Sequence, residues 1–245
     1  MLKHLAGTAI AAAALIAAAA IAPASAGAAP ARIAPGSEVI VVHTDGEPTV
    51  ARADGVTRYP DNHPASPDGD QCTLGHVFQG QDGEPRALIA AHCGDVHEEI
   101  FTADGRLIGR IAAAADYSDS NDNSPDTALV SFAPGVTVDS QIAESGPLAG
   151  TISPEDIKRT EPVLCKFGAK TGVTCGPIAH GSGAPAGMIA FQAENEHGDS
   201  GSPVWTYGKS GEVLAVGTFF GSPQGRSDIA YVEPLGQYLQ VWKLH

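Results

Sequence analysis

A serine sits between small residues in the run Gly198-Asp199-Ser200-Gly201, just ahead of the apolar Pro203-Val204-Trp205. A serine hydroxyl is a poor nucleophile at neutral pH and needs a base within hydrogen-bond reach and a group that orients that base. His92 suits the base. It closes the apolar run Ala87-Leu88-Ile89-Ala90-Ala91 and is followed at once by Cys93, so a strand would deliver it from a core. Asp126 is a candidate orienting acid, though by itself it reads at least equally as a plain strand-start acid. It stands directly before Thr127-Ala128-Leu129-Val130, and an ionised acid at a strand mouth is costly unless paired, which an imidazole N–H would achieve. His63, His97, His180 and His245 lie in polar, turn-rich or terminal surroundings and read as solvated. Asp116, Asp119 and Asp122 share a polar loop and are weaker candidates than Asp126.

These side chains must be held by elements, and the elements read as strands. Short apolar runs recur at 87–91, 107–112, 127–132, 163–167, 188–191, 213–220 and 229–232, separated by Gly, Pro, Asp and Ser. That pattern predicts an all-β barrel or sandwich. Helical spacing appears only near the end, where Leu235, Leu239 and Trp242 share a face and predict a short C-terminal helix. The Gly- and Pro-rich stretch 133–154 reads as a link between two lobes.

The chain opens with Lys3, an Ala/Leu/Ile run over 5–21, Pro23 and the small residues Ala24-Ser25-Ala26. This predicts a signal peptide over 1–26, cut after Ala26, with export and no lasting membrane insertion. Residues 27–60 then read as a leader or N-terminal segment. The four cysteines, Cys72, Cys93, Cys165 and Cys175, all follow the signal. An even count in an exported chain favours two disulfides. Three pairings are possible, of which 72–93 with 165–175 closes two short loops. Metal-ligand spacing such as C-x-x-C is absent, so no metal or cofactor is expected. Acids outnumber bases 28 to 14 with no basic cluster, which argues against a nucleic-acid partner.

Three stretches together carry a resemblance: "AAHC" at 90–93, "DTALV" at 126–130 and "GDSGSPV" at 198–204. They resemble the signatures of the chymotrypsin-like (trypsin-like) serine proteases, in that family's order of His, Asp and Ser. "CTLGHVF" at 72–78 and "CKFGAKTGVTCG" at 165–176 resemble its secreted bacterial branch, of the Streptomyces type. The resemblance covers about residues 70–245. It implies two antiparallel six-stranded barrels, at 61–145 and 146–245, with disulfides Cys72–Cys93 and Cys165–Cys175. It implies an endopeptidase acting on protein or peptide substrates; secretion follows from the signal pattern, and a monomer is expected. His92, Asp126 and Ser200 would be catalytic, and the N–H groups of Gly198 and Ser200 would form the oxyanion hole. Asp199 would pin the loop through an ion pair whose partner the sequence does not name.

Departures from the family pattern fall around the substrate pocket. Ser202 stands where a second glycine is usual, a third disulfide near the serine is missing, and Val216–Gly221 lacks a clean Ser-x-Gly. No clean "IVGG" terminus is present; "VIVVH" at 39–43 is a loose match. Phe219 and Phe220 argue for a shallow pocket taking a small or medium apolar residue, whereas Glu194 and Glu196 would favour basic substrates if either pointed inward. Two rivals compete with the protease. One is a silent binding protein on the same fold, its cleft blocked by Phe219 or Phe220. The other is an esterase, disfavoured because its histidine would have to follow the serine.

Overall fold

The computed structural model describes residues 30–43, 50–51, 57–58, 69–115 and 125–245. The signal peptide, the site after Ala26, His63 and the loop with Asp116, Asp119 and Asp122 lie outside these residues. In chain order the first strands are β1 (Arg32–Ile33), β2 (Glu38–Val42), β3 (Val50–Ala51), β4 (Thr57–Arg58), β5 (Gly69–Thr73) and β6 (Val77–Gln79). Then come β7 (Pro85–Ala90), β8 (Glu99–Thr102), β9 (Leu107–Ala114), β10 (Thr127–Phe132) and β11 (Thr137–Val138). The second half holds β12 (Leu148–Thr151), α1 (Pro154–Thr160), β13 (Leu164–Gly168), β14 (Gly172–Gly176) and β15 (Ile189–Gln192). It ends with β16 (Pro203–Tyr207), β17 (Val213–Gly221), β18 (Ile229–Pro234) and α2 (Gly236–Val241).

Two curled antiparallel sheets result. The first has the order β5-β2-β8-β9-β10-β7-β6. Its two edge strands, β5 and β6, are consecutive, separated only by Leu74, Gly75 and His76. Bonds from Gly75 N to Leu88 O (2.8 Å) and Leu88 N to His76 O (3.0 Å) keep that bend against β7. One bent strand therefore closes the sheet on itself, and the seven segments make a six-stranded barrel. The second sheet runs β14-β13-β16-β17-β18-β15. The chain just past β14 returns to β15 through Gln192 N to Pro177 O (2.9 Å) and Ala179 N to Ala190 O (2.8 Å), which closes this barrel too. Strand β12 adds to it in parallel with β17. The first sheet takes β2 from the segment 27–60 that the sequence reading set apart from it. Val39 and Val41 are fully buried and β2 pairs with β5 on one side and β8 on the other, so this strand is core and not leader.

Alternation fills each barrel. Val39, Val41, Ile89, Ile100, Ile111 and Val130 occupy the first core. Leu164, Phe191, Val204, Val216 and Val232 fill the second, joined by Ile157 of α1. Ser153 caps α1 by accepting from Asp156 N at 3.0 Å. The expected C-terminal helix is present as α2. Leu235, Leu239 and Trp242 pack with Phe78 and Leu88 of the first lobe and Ala215 of the second, sealing the junction. The disulfides are Cys72–Cys93 and Cys165–Cys175. The second joins directly opposed residues of the β13–β14 hairpin, with Cα atoms 4.0 Å apart.

His76 sits at the bend between β5 and β6 and reaches across the lobes, its Nε2 2.8 Å from Val204 O. Burial pulls its pKa down to about 4, and the carbonyls of Val204 and Gly217 offset only part of that. The unfolded chain takes up this proton near pH 6.5, whereas the folded protein resists it to about pH 4. Stability from this group is therefore complete above about pH 6.5 and declines as pH falls toward 4, by about 3 kcal/mol in all. His76→Gln keeps a donor for Val204 and does not titrate. Urea unfolding of both proteins at pH 7 and pH 4 should show a flatter pH dependence for the variant; equal slopes would refute the assignment.

Candidate active site

Strand register brings the expected base and acid together. Strand β7 pairs antiparallel with β10, with Ala90 opposite Thr127, so the residue before β10 faces the turn after β7. That turn, the 3₁₀ segment Ala91–Cys93, buries Ala91 and Cys93 and leaves His92 outward. Asp126 is 6% exposed. Its Oδ2 lies 2.6 Å from His92 Nδ1, and its Oδ1 accepts from His92 N at 2.8 Å. Both carboxylate oxygens are thus spent on one histidine, fixing the ring's position and leaving Nε2 for other work. Burial alone would lower the His92 pKa. The hydrogen bond and charge of Asp126, with Asp70 further off, more than reverse this, and the pKa rises above its ordinary value.

Ser200 comes from the other lobe, on the loop before β16. Its carbonyl accepts from Thr73 N at 2.7 Å. Thr73, fully buried at the end of β5, also donates through Oγ1 to Gly198 O at 2.8 Å and accepts from Ala169 N at 3.0 Å. One first-lobe threonine therefore grips both sides of the serine. Among the described residues no hydrogen bond joins Ser200 Oγ to His92, a contact that commonly tightens only with substrate. Two glycines are required here. Gly198 has φ +101° and a side chain there would meet Lys170 Cε at 2.8 Å. Gly201 has φ +94° and a side chain would collide with Thr73 O. Ser202, where the family pattern has glycine, is fully buried and donates to Asp199 O at 2.5 Å.

The partner of Asp199 is Lys166 on β13, Nζ to Oδ2 at 2.8 Å, with neither side chain exposed. Oδ2 also accepts from Thr171 Oγ1 (2.7 Å) and Glu196 N (3.2 Å), and Oδ1 from Lys170 N (3.0 Å). Burial pushes this carboxyl upward, but Lys166, Thr171 and the backbone donors outweigh it, and its pKa ends below the usual range. Sequence reading missed Lys166. The available signal was a lysine wedged between Cys165 and Phe167 inside a short apolar strand.

The pocket candidates separate. Phe219 is 2% exposed and belongs to the second core, so it does not stand in the cleft. Phe220 is half-buried, packs against both the first core and the cluster of Ala190, Ile229 and Tyr231, and lies at the lobe boundary. Glu194 and Glu196 are exposed and do not line a buried pocket. Ligand atoms of Cys72, His92 and Cys93 cluster within 4.8 Å, but both sulfurs are spent in the disulfide and cannot ligate an ion.

Comparison with solved structures decides the architecture. Nocardiopsis protease superposes with a TM-score of 0.57 at 20% identity, covering 88% of this chain and 98% of that one. Thermobifida fusca Protease A gives 0.57 at 21% identity, with the same coverage. The fold is that of the chymotrypsin-like bacterial serine proteases. A glutamic-acid-specific serine protease also matches at a TM-score of 0.57, with 15% identity over 86% of this chain and 98% of that one. No family model matches the sequence. Uncharacterized protein Rv1815 of Mycobacterium tuberculosis is 27% identical over 185 residues, 70% of this chain and 77% of that protein. His92 and Ser200 come from opposite lobes.

Proposed function

We propose that the chain is an exported serine endopeptidase that works through an acyl-enzyme. The observation that carries this is the His92–Asp126 couple, with both carboxylate oxygens committed to one histidine, set in the same fold as a Gly-flanked serine loop clamped across the lobes. The first barrel, running from β2 to the link before β12, supplies His92 and Asp126; the second supplies Ser200. In the proposed cycle Ser200 Oγ attacks the scissile carbonyl, and His92 Nε2 takes its proton and returns it to the leaving amine. Asp126 holds the tautomer in which Nε2 is the base and stabilises the imidazolium. The N–H groups of Gly198 and Ser200 stabilise the developing oxyanion, each such donor being worth about 3–4 kcal/mol in the transition state. No cofactor enters these steps. Export is supported by the two disulfides and the N-terminal signal pattern.

Glu194 and Glu196 are exposed, and the reading kept here is a small or medium apolar residue before the cut bond. One experiment tests both statements. The mature protein is incubated with a denatured protein and, separately, with a fluorophosphonate. Covalent label on Ser200, and cuts after small or medium apolar residues, are expected. Correctly processed protein that neither cuts nor labels would leave a binding protein, for which Phe220 at the lobe boundary would be the obstruction. Cuts dominated by Lys or Arg would overturn the specificity.

A further inference from the structure

A second buried carboxylate stands directly behind the acid of the proposed triad. Glu233 of β18 is 2% exposed. Its Oε2 accepts from Asp126 N at 2.8 Å and from Thr127 Oγ1 at 2.6 Å, and its Oε1 accepts from Tyr238 OH at 2.6 Å. Asp126 and Thr127 belong to the first lobe; Glu233 and Tyr238 belong to the second lobe and to α2. The carboxylate therefore bridges the lobes at the residue whose two side-chain oxygens both hold His92. Asp126 O is fixed within the first lobe by Ala91 N at 3.1 Å, while Asp126 N is fixed from outside it by Glu233.

An acid at this place is costly. Its charge is desolvated and faces the negative charge of Asp126, and burial, partly offset by its three donors, leaves its pKa raised. An apolar residue would fill the same space without that penalty, so packing alone does not account for a carboxylate here. What it alone provides is two acceptor oxygens aimed at donors on different elements. Resting on the protease reading, the geometry points to Glu233 as a positioning residue: it sets where the Asp126 backbone lies, and through Asp126 the position and orientation of the His92 ring. It touches no reacting atom.

The test compares Glu233→Leu, Glu233→Gln and Thr127→Val with the wild type. The readouts are kcat and KM on a peptide substrate and the low-field proton resonance of His92 Nδ1–H. Displacing a catalytic group by about 1 Å costs about 100-fold in rate. Glu233→Leu is expected to lower kcat about 30- to 100-fold, on that scale, with KM within about twofold, and to shift or abolish the resonance. Glu233→Gln keeps one oxygen for Asp126 N and Thr127 and offers Tyr238 an N–H, so kcat should recover to within about threefold of the wild type, far above the roughly 100-fold loss of full misplacement. If Glu233→Leu does not fold, Thr127→Val removes a single donor and is expected to shift the same resonance. A folded Leu variant with wild-type kcat, or an unmoved resonance in both Glu233→Leu and Thr127→Val, overturns the proposal. A wild type that neither cleaves nor labels overturns the protease reading, and the resonance then still decides the positioning.

Discussion

Asp126→Asn is expected to lower kcat about 10⁴-fold while leaving the fold intact. The native Oδ1 accepts from the His92 backbone N–H and Oδ2 accepts from Nδ1–H. An asparagine retains one oxygen, which the backbone N–H can keep, and turns an NH₂ toward Nδ1. The ring then accepts at Nδ1 and carries its proton on Nε2, the atom that should receive the proton of Ser200. The base is lost although every atom is close to its native place. Ser200→Ala should be at least as severe, because it removes the proposed nucleophile. The same geometry sets the pH profile. Only neutral His92 can accept a proton, and its pKa is raised, so kcat/KM should climb with pH through a midpoint above the ordinary histidine value. Circular dichroism and thermal melting confirm the fold, and initial rates read the loss. A loss under about tenfold for Asp126→Asn would remove Asp126 from the assigned role.

Lys166→Met should cost about 3–5 kcal/mol of stability and most of the activity. Lys166 and Asp199 are both fully enclosed, so the substitution strands a carboxylate without its counter-charge. Asp199 answers by protonating or by drawing in water. Either response weakens its hold on Lys170 N and Glu196 N, hence on the loop running to Ser200. The pair itself need not add stability over an apolar pair of the same shape, but half of it is strongly destabilising. Urea unfolding measures the first effect and the rate of fluorophosphonate labelling the second. A variant within about 1 kcal/mol of the wild type would show the pair to be dispensable.

His92, Asp126 and Ser200 were singled out in the sequence by the order of three motifs, since His92 and Asp126 each read equally well as structural residues on their own. A strand end and a cysteine mark the first, a strand start the second and flanking glycines the third. The all-β class was legible from short apolar runs between turn signals, the two barrels only from the family resemblance, and α2 from the spacing of Leu235, Leu239 and Trp242. Lys166, Glu233 and Thr73 were not. Each works across a sequence separation, 33 residues for Lys166 to Asp199, 107 for Glu233 to Asp126 and 125 for Thr73 to Gly198. A lone charge in an apolar strand can be a solvated edge residue as easily as half of a buried pair, and only the fold supplies the other half. The role of β2 was obscured for a related reason: its partners, β5 and β8, both come later in the chain. Closure at Leu74–His76 was hidden too, because a bend within one strand looks in sequence like a turn between two.

The Lys166–Asp199 pair has a consequence for control. The positive charge paired with Asp199 comes from Lys166 in the same lobe, so the serine loop has its counter-charge without a chain end. For the endopeptidase proposed above, competence and foldedness would then arrive together.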